Sequence, residues 1–292
     1  LAWFFGFKVF PIIYREIRFQ FSKKFLSRDS LLAQVNNYKM WIPLRYDGIG
    51  RALYVFRKRE LDHKWLIEQE VRPGNVVLDI GVNIGYYAIM ESVQLQSQGK
   101  IYAVEPDPRN IEFLRRNIAL NGLESLIDFQ AGAISNRTHQ AEFALAKRTN
   151  LNSFEIQGTS LECDRVKVDV LDFGDYLKNK ERIDLVRMDI EGHELEVFQS
   201  LIRFTRETPR LAPRKIIFEV HKYKDPGAMA KILGELFDLG YEPKYISSDD
   251  ELRPLASNFR KLGYTPFKLF KEWRVVRGMY QGILRQHAID LI

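Results

Sequence analysis

The chain of 292 residues is 46% hydrophobic with a net charge of +6, enough apolar material for a sizeable core in one or two domains. Its single cysteine, Cys163, excludes an internal disulfide framework and cysteine-built metal centres, and suits a reducing compartment such as the cytoplasm. The charge is uneven, with +5 over residues 1–28, +6 over 253–292 and −5 between them, so the middle is a poor match to nucleic acid and the ends are expected to meet something anionic.

Residues 1–38 form the first expected unit. The chain begins on Leu1, and an earlier native start is expected. The apolar stretches up to Leu26 are broken by Lys8 and Pro11 and are too short to cross a membrane. Read as a helix after Pro11, Ile13, Ile17, Phe21 and Phe25 share a face, while Arg15, Arg18 and Lys23 fall mostly elsewhere. That is the composition of an interfacial helix, and residues 1–27 are expected on an anionic membrane surface, peripheral to its inner face. The competing expectation is a helix packed on its own domain or on a second subunit in a dimer.

Residues 39–74 read as an extension laid on the core. Strands are expected at Lys39–Leu44 and Ala52–Phe56, and a helix at Glu60–Val71 that Arg72-Pro73-Gly74 ends.

Residues 75–250 alternate strand and helix. Strands are expected at Val76–Ile80, Lys100–Val104, Ile127–Ala131, Ile183–Met188, Lys215–Val220 and Tyr241–Ile246. Helices are expected at Tyr86–Gln96, Pro108–Leu120, Glu194–Phe204 and Pro226–Leu239, and a β-rich excursion at 139–170. Such alternation means an α/β fold, a mostly parallel sheet with helices on both faces. Ligands then sit beyond the carboxyl ends of the strands, so strand-end residues carry the information.

The first strand ends at Asp79 and the turn Gly81-Val82-Asn83-Ile84-Gly85-Tyr86. Small residues here permit a sharp turn and close approach of a ligand to the backbone, and the helix that follows offers free N–H groups. The second strand leaves Glu105 at its tip, about 20 residues further on, where an acid can bind both hydroxyls of a ribose. No G-x-G-x-x-G and no G-x-x-x-x-G-K-[ST] is present, so a nucleoside without pyrophosphate fits better than NAD. S-adenosylmethionine (SAM) is such a ligand, with Asp79 toward its amino-acid end. Gly132 and Ala133, after the third strand, leave room for a flat purine.

The fourth strand runs into Asp189-Ile190-Glu191-Gly192-His193-Glu194, and the fifth into Glu219-Val220-His221. Methyl transfer to a hydroxyl needs a base, and histidine has the ordinary pKa for it. His221, His193, Glu219 and Asp189 are the candidates for the reaction. Asp189, Glu219 and His221 would be the ligands if a divalent metal is bound.

These motifs together resemble the FkbM family of SAM-dependent methyltransferases. The resemblance runs from about Asn75 to Ser248 and rests on Val77–Tyr86, Val104-Glu105-Pro106, Asp189–Glu194 and Glu219-Val220-His221. Val82 stands where the family usually has Ala. Asn152-Ser153 fits a stretch the family often carries, which adds Asn152 to the cofactor candidates. The resemblance implies a seven-stranded Rossmann-like methyltransferase acting on oxygen, often a hydroxyl of a sugar, glycan or secondary metabolite. The expected cofactor set is therefore Asp79, Gly81, Asn83, Gly85, Tyr86, Glu105, Gly132, Ala133, Asn152 and Asp189. An N-methyltransferase, of nucleic acid or of a small molecule, is the alternative; a base-amine methyltransferase would often end the fourth strand in Asn/Asp-Pro-Pro-Tyr/Phe, and this chain has Met-Asp-Ile-Glu-Gly. A SAM-binding module without catalysis would leave the strand-end acids and histidines idle.

Residues 251–292 form a basic tail, expected to be helical in part. Leu269, Trp273, Val276, Tyr280, Ile283 and Leu284 would share a face, although Gly278 and Gly282 weaken that helix by about 1 kcal/mol each. Residues 256–292 are a second candidate for contact with an anionic membrane.

Overall fold

The computed structural model describes residues 2–25, 28–45, 49–145, 164–221, 226–252, 256–272 and 275–291. The N-terminal helix α1 (Ala2–Phe25) runs through Pro11. A hairpin follows, β1 (Ser30–Val35) with β2 (Tyr38–Pro43), then helices α2 (Gly50–Phe56) and α3 (Leu61–Glu70). The expected strand at Ala52–Phe56 is thus helix α2. Its apolar run is buried by packing rather than by strand pairing: Leu53 and Val55 are fully buried, and Arg15 of α1 donates from Nε to the Val55 carbonyl at 2.7 Å. β1 lies in the segment where only a helix was expected.

The central unit alternates β3 (Val76–Ile80), α4 (Tyr86–Leu95), β4 (Lys100–Glu105), α5 (Pro108–Leu120) and β5 (Ile127–Ala131). The excursion adds β6 (Ala133–Ser135), β7 (His139–Leu145) and β8 (Asp164–Asp172), a small sheet of its own, with α6 (Phe173–Leu177) after it. Then come β9 (Leu185–Met188), α7 (Glu194–Glu207), β10 (Lys215–Phe218) and α8 (Pro226–Asp238). The five parallel strands lie in the order β10-β9-β3-β4-β5. Chain order reverses at β3, which makes its carboxyl end the switch point where such sheets bind ligands.

Two cores flank this sheet because strand side chains alternate. Val77, Ile101 and Leu185 pack with α4 and α5 on one face. Leu78, Ile80, Val186 and Met188 pack with α7 and α8 on the other.

The C-terminal part is β11 (Tyr245–Ser247), α9 (Ala256–Lys261), β12 (Lys268–Glu272), β13 (Val275–Gln281) and α10 (Arg285–Asp290). The amphipathic helix expected across 269–284 is instead an antiparallel hairpin, in a separate sheet of order β11-β13-β12. β13 is rich in β-formers, and both its edges are taken, so it does not extend the parallel sheet toward seven strands. A Cβ at Gly278 would fall 2.2 Å from Glu251 Oε1, so a larger residue there would have to displace the Glu251 side chain. The tail's basic residues are partly paired within the protein: Arg260 with Glu251, Arg277 with Glu272, Arg285 with Glu242.

Candidate active site

A cavity of about 390 Å³ opens over the carboxyl ends of β3, β4 and β9. Its size lies within the range of ligand pockets. Gly81, Asn83, Tyr86, Glu105, Gly132, Ala133, Asp189, His193, Glu219 and His221 all line it. So do Glu191, Arg59 and Arg277, which the sequence did not single out as lining residues.

Steric necessity sets the glycine turn. Gly81 has φ +82°, and a Cβ there would lie 2.3 Å from the Asp189 carbonyl oxygen. The turn can therefore pack against the end of β9 only without a side chain. The Gly81 and Val82 amides donate to the Val104 carbonyl at 2.9 and 3.3 Å, which ties the turn to β4. Gly85 caps α4 in the left-handed conformation and does not line the cavity.

Glu105 belongs to the same turn. Its Oε2 accepts from the Asn83 amide at 2.8 Å. Its Oε1 accepts from the Asp107 amide at 3.0 Å and from Asn110 Nδ2 at 3.1 Å. A carboxylate has about four lone-pair sites, so one on Oε2 remains for a ligand hydroxyl. Burial pushes the Glu105 carboxyl up to about 7, partly offset by these hydrogen bonds.

Asp79 is placed differently from the expectation. It is fully buried and does not line the cavity. In the β3–β9 register it faces Arg187, whose Nη1 donates to Asp79 Oδ1 at 2.8 Å. The other end of the guanidinium reaches Asp189 Oδ2 at 3.3 Å, and its flat face stacks on Tyr87 at 3.6 Å. Asp79 thus orients Asp189 through Arg187. Glu91 of α4 is buried beside them, and burial and the Asp79 charge push its carboxyl well above the ordinary range. Tyr86 closes the other side. Its hydroxyl donates to the Arg59 carbonyl at 2.8 Å and accepts from the Arg59 amide at 3.1 Å, pinning the segment between α2 and α3 over the site.

At the start of α7, Glu194 reaches back to the Ile190 amide, accepting at 3.1 Å through Oε1. This fixes the turn that carries Glu191, at φ +53°. The same Oε1 lies 2.9 Å from His221 Nδ1, and the Glu194 side chain is fully buried. His221 Nε2 is left 3.6 Å from Glu191 Oε2 and 3.8 Å from Asp189 Oδ1. Burial lowers the His221 pKa, but the hydrogen bond and charge of Glu194, with the charges of Glu219 and Glu191, outweigh it and raise it to about 9. Burial likewise raises Glu191 to about 7, against the pull of His221.

His193 is held apart from this pair, with Nε2 at 2.9 Å from Ser135 Oγ and Nδ1 at 3.4 Å from Glu196. Asn152 lies outside the described residues. Among the described residues, Asp189, Glu191 and His221 place one ligand atom each within 4.8 Å of one another and could hold a cation. Glu191 takes the place expected for Glu219 in that set.

A parallel α/β sheet, a glycine turn at its switch point and a carboxylate at the tip of the next strand define a Rossmann-like nucleoside-binding fold, and the family match makes its class methyltransferase. Within that class the chain belongs to the methyltransferase FkbM domain family, whose model matches residues 79–243. SAM is the cofactor this fold implies, and the open acceptor site on Glu105 beside the small-residue turn fits its ribose. The chain is 27% identical to methyltransferase sdnD of Sordaria araneosa, over 54% of this chain and 73% of that protein. It is 25% identical to hexuronic acid methyltransferase AglP of Haloferax volcanii, over 71% and 81%. It is 24% identical to 31-O-demethyl-FK506 methyltransferase FkbM of Streptomyces tacrolimicus, over 66% and 82%. Among solved structures it is similar to methyltransferase FkbM of Methylobacillus flagellatus, with TM-score 0.40 and 13% identity, covering 79% of this chain and 52% of that one.

Proposed function

We propose that the protein is a cytoplasmic O-methyltransferase acting on a hydroxyl of a sugar, glycan or related secondary metabolite, with His221 as general base. The observation that carries this reading is the His221–Glu194 pair at the cavity wall. A buried carboxylate holds Nδ1, and Nε2 faces the cavity. That is the arrangement in which a carboxylate fixes an imidazole's orientation and stabilises its cation as it takes a proton.

SAM, when bound, supplies an activated methyl group on a positively charged sulfur. The chain's own residues do the rest. The Gly81–Gly85 turn and Glu105 hold the nucleoside, and Gly132 and Ala133 leave space beside it. Asp189, fixed by Arg187, marks the boundary between the cofactor side and the acceptor side. In its neutral form, the minor one at pH 7 for a group raised to about 9, His221 Nε2 accepts the hydroxyl proton as the new O–C bond forms; the methyl–sulfur bond of SAM would break in the same step to leave S-adenosylhomocysteine, and Glu194 then faces an imidazolium. A cationic ligand beside His221 also favours the neutral imidazole, since like charges repel. Two relatives support the acceptor class by their names, one a hexuronic acid methyltransferase and one an O-methylating enzyme of FK506.

The test is transfer of labelled methyl from SAM to a panel of uronic acid glycosides and polyhydroxylated metabolites. The wild type is expected to label at least one hydroxyl, and His221→Asn to label it 10²–10⁴-fold more slowly, the usual worth of a positioned base. Labelling confined to amines, or an undiminished rate in the variant, contradicts the reading.

A further inference from the structure

Helix α1 has two faces, and among the described residues one of them packs on the fold. Phe19 is fully buried, its ring 5.6 Å from that of Tyr54, and Ser22 is buried with it. Glu16 is tied to Arg51 Nε at 2.9 Å on the same side. On the opposite side Phe10, Ile13, Tyr14, Ile17, Phe21 and Phe25 recur at helical spacing, each between 49% and 76% exposed. A helix on the surface of a globular protein ordinarily turns polar residues to water there. A contiguous exposed apolar stripe marks an interaction surface.

Charge says what covers it. Residues 1–28 carry six basic residues and one acid. That acid is Glu16, which faces the protein and is held by Arg51 and Gln20. Arg18, Lys23 and Lys24 are exposed, with the Lys24 ammonium 5.2 Å from the Phe25 ring centre. A second copy of α1, with five basic residues and one acid over residues 2–25, laid on the stripe would bring +4 against +4 with no outward acid to offset it. An anionic bilayer answers both the apolar stripe and the charge, and aromatic side chains suit the headgroup boundary. From Phe10 to Phe25 the stripe is about 22 Å long at 1.5 Å per residue, short of the bilayer's hydrocarbon thickness. Among the described residues no helix is long and apolar enough to cross a membrane.

We infer that α1 lies in the plane of an anionic lipid surface, docked through the Phe10–Phe25 stripe. This goes beyond the chemistry proposed for the cavity and stands whether or not that chemistry is right.

The test is co-sedimentation of the full chain with vesicles of phosphatidylcholine alone and of phosphatidylcholine mixed with phosphatidylglycerol. Wild type is expected to sediment with the mixed vesicles, and less as salt is raised. Ile17→Glu with Phe21→Glu is expected to weaken that binding at least about tenfold, since each added acid opposes the surface potential and removes apolar contact. Both positions are exposed, so the melting temperature should be unchanged. Arg18→Gln with Lys24→Gln, which leaves the stripe intact, should weaken binding to mixed vesicles only. The inference is overturned if wild type stays in the supernatant with mixed vesicles, or if the Glu double variant sediments as wild type does. A wild-type dimer that the Glu variant dissociates, with no vesicle binding, would assign the stripe to a second copy instead.

Discussion

Glu194 Oε1 and His221 Nδ1 are 2.9 Å apart, a contact between residues 27 positions apart in the chain. The strand end carrying His221 and the first turn of α7 meet at this bond. It sets which imidazole nitrogen faces the cavity, and it raises the proton affinity of that nitrogen.

Glu194→Gln keeps a hydrogen-bond partner but removes the charge. The His221 pKa is expected to fall from about 9 toward its ordinary value near 6.5. A histidine NMR titration reads this without any acceptor. Once an acceptor is in hand, the rising limb of kcat/KM against pH should move down with it, because that limb reports the base in the free enzyme. A limb that stays put would separate Glu194 from the base.

The same shift makes a stability claim. A folded-state pKa raised above the unfolded value gives stability fully present below about pH 6.5 and lost as pH rises through about 9. The difference in melting temperature between wild type and His221→Asn should therefore shrink between pH 6 and 9.5, a window set by those two pKa values. A difference independent of pH would mean that His221 gains no proton affinity on folding.

Arg187 is buried between Asp79 and Asp189. Arg187→Met leaves the fully buried Asp79 without its cation and removes one partner of Asp189. Removing one partner of a buried ion pair costs about 3–5 kcal/mol, so urea unfolding of this variant should show a loss of that order. A loss below about 1 kcal/mol, the usual worth of an exposed pair, would place Arg187 outside the supporting network.

Gly81→Ala tests the turn. The added methyl would meet the Asp189 carbonyl at 2.3 Å, at a φ of +82°. Strain of this kind costs about 1–3 kcal/mol before the clash is counted. Loss of both stability and S-adenosylhomocysteine affinity is expected, read by thermal shift and calorimetry. A variant as stable as wild type would mean the turn does not pack on β9 as described.

The local parts of the site were legible in the sequence. The strand-turn-helix at Val76–Tyr86, Glu105 at the next strand tip, and the Asp189–Glu194 and Glu219–His221 turns all sit where the βα pattern places them. What escaped was contact across the chain. Asp79 and Arg187 each interrupt an apolar strand, and only the β3–β9 register shows that they face one another. Glu194 was visible as part of a turn, but its pairing with His221 depends on how β10 follows α7. The misread segments failed for a related reason. Ala52–Phe56 is apolar enough for a strand, and packing by α1 decided for helix. The tail's apolar residues happen to fit a helical period, and pairing on both edges of β13 decided for strands.

Calorimetry with S-adenosylhomocysteine tests the division of the cavity most directly. Wild type is expected to bind, and His221→Asn to bind equally well. Glu105→Gln should bind about 10–100-fold more weakly, the worth of one hydrogen bond to a charged group. Absence of binding to wild type, or equal loss in His221→Asn, would contradict the placement of the cofactor at Glu105 and of the base at His221.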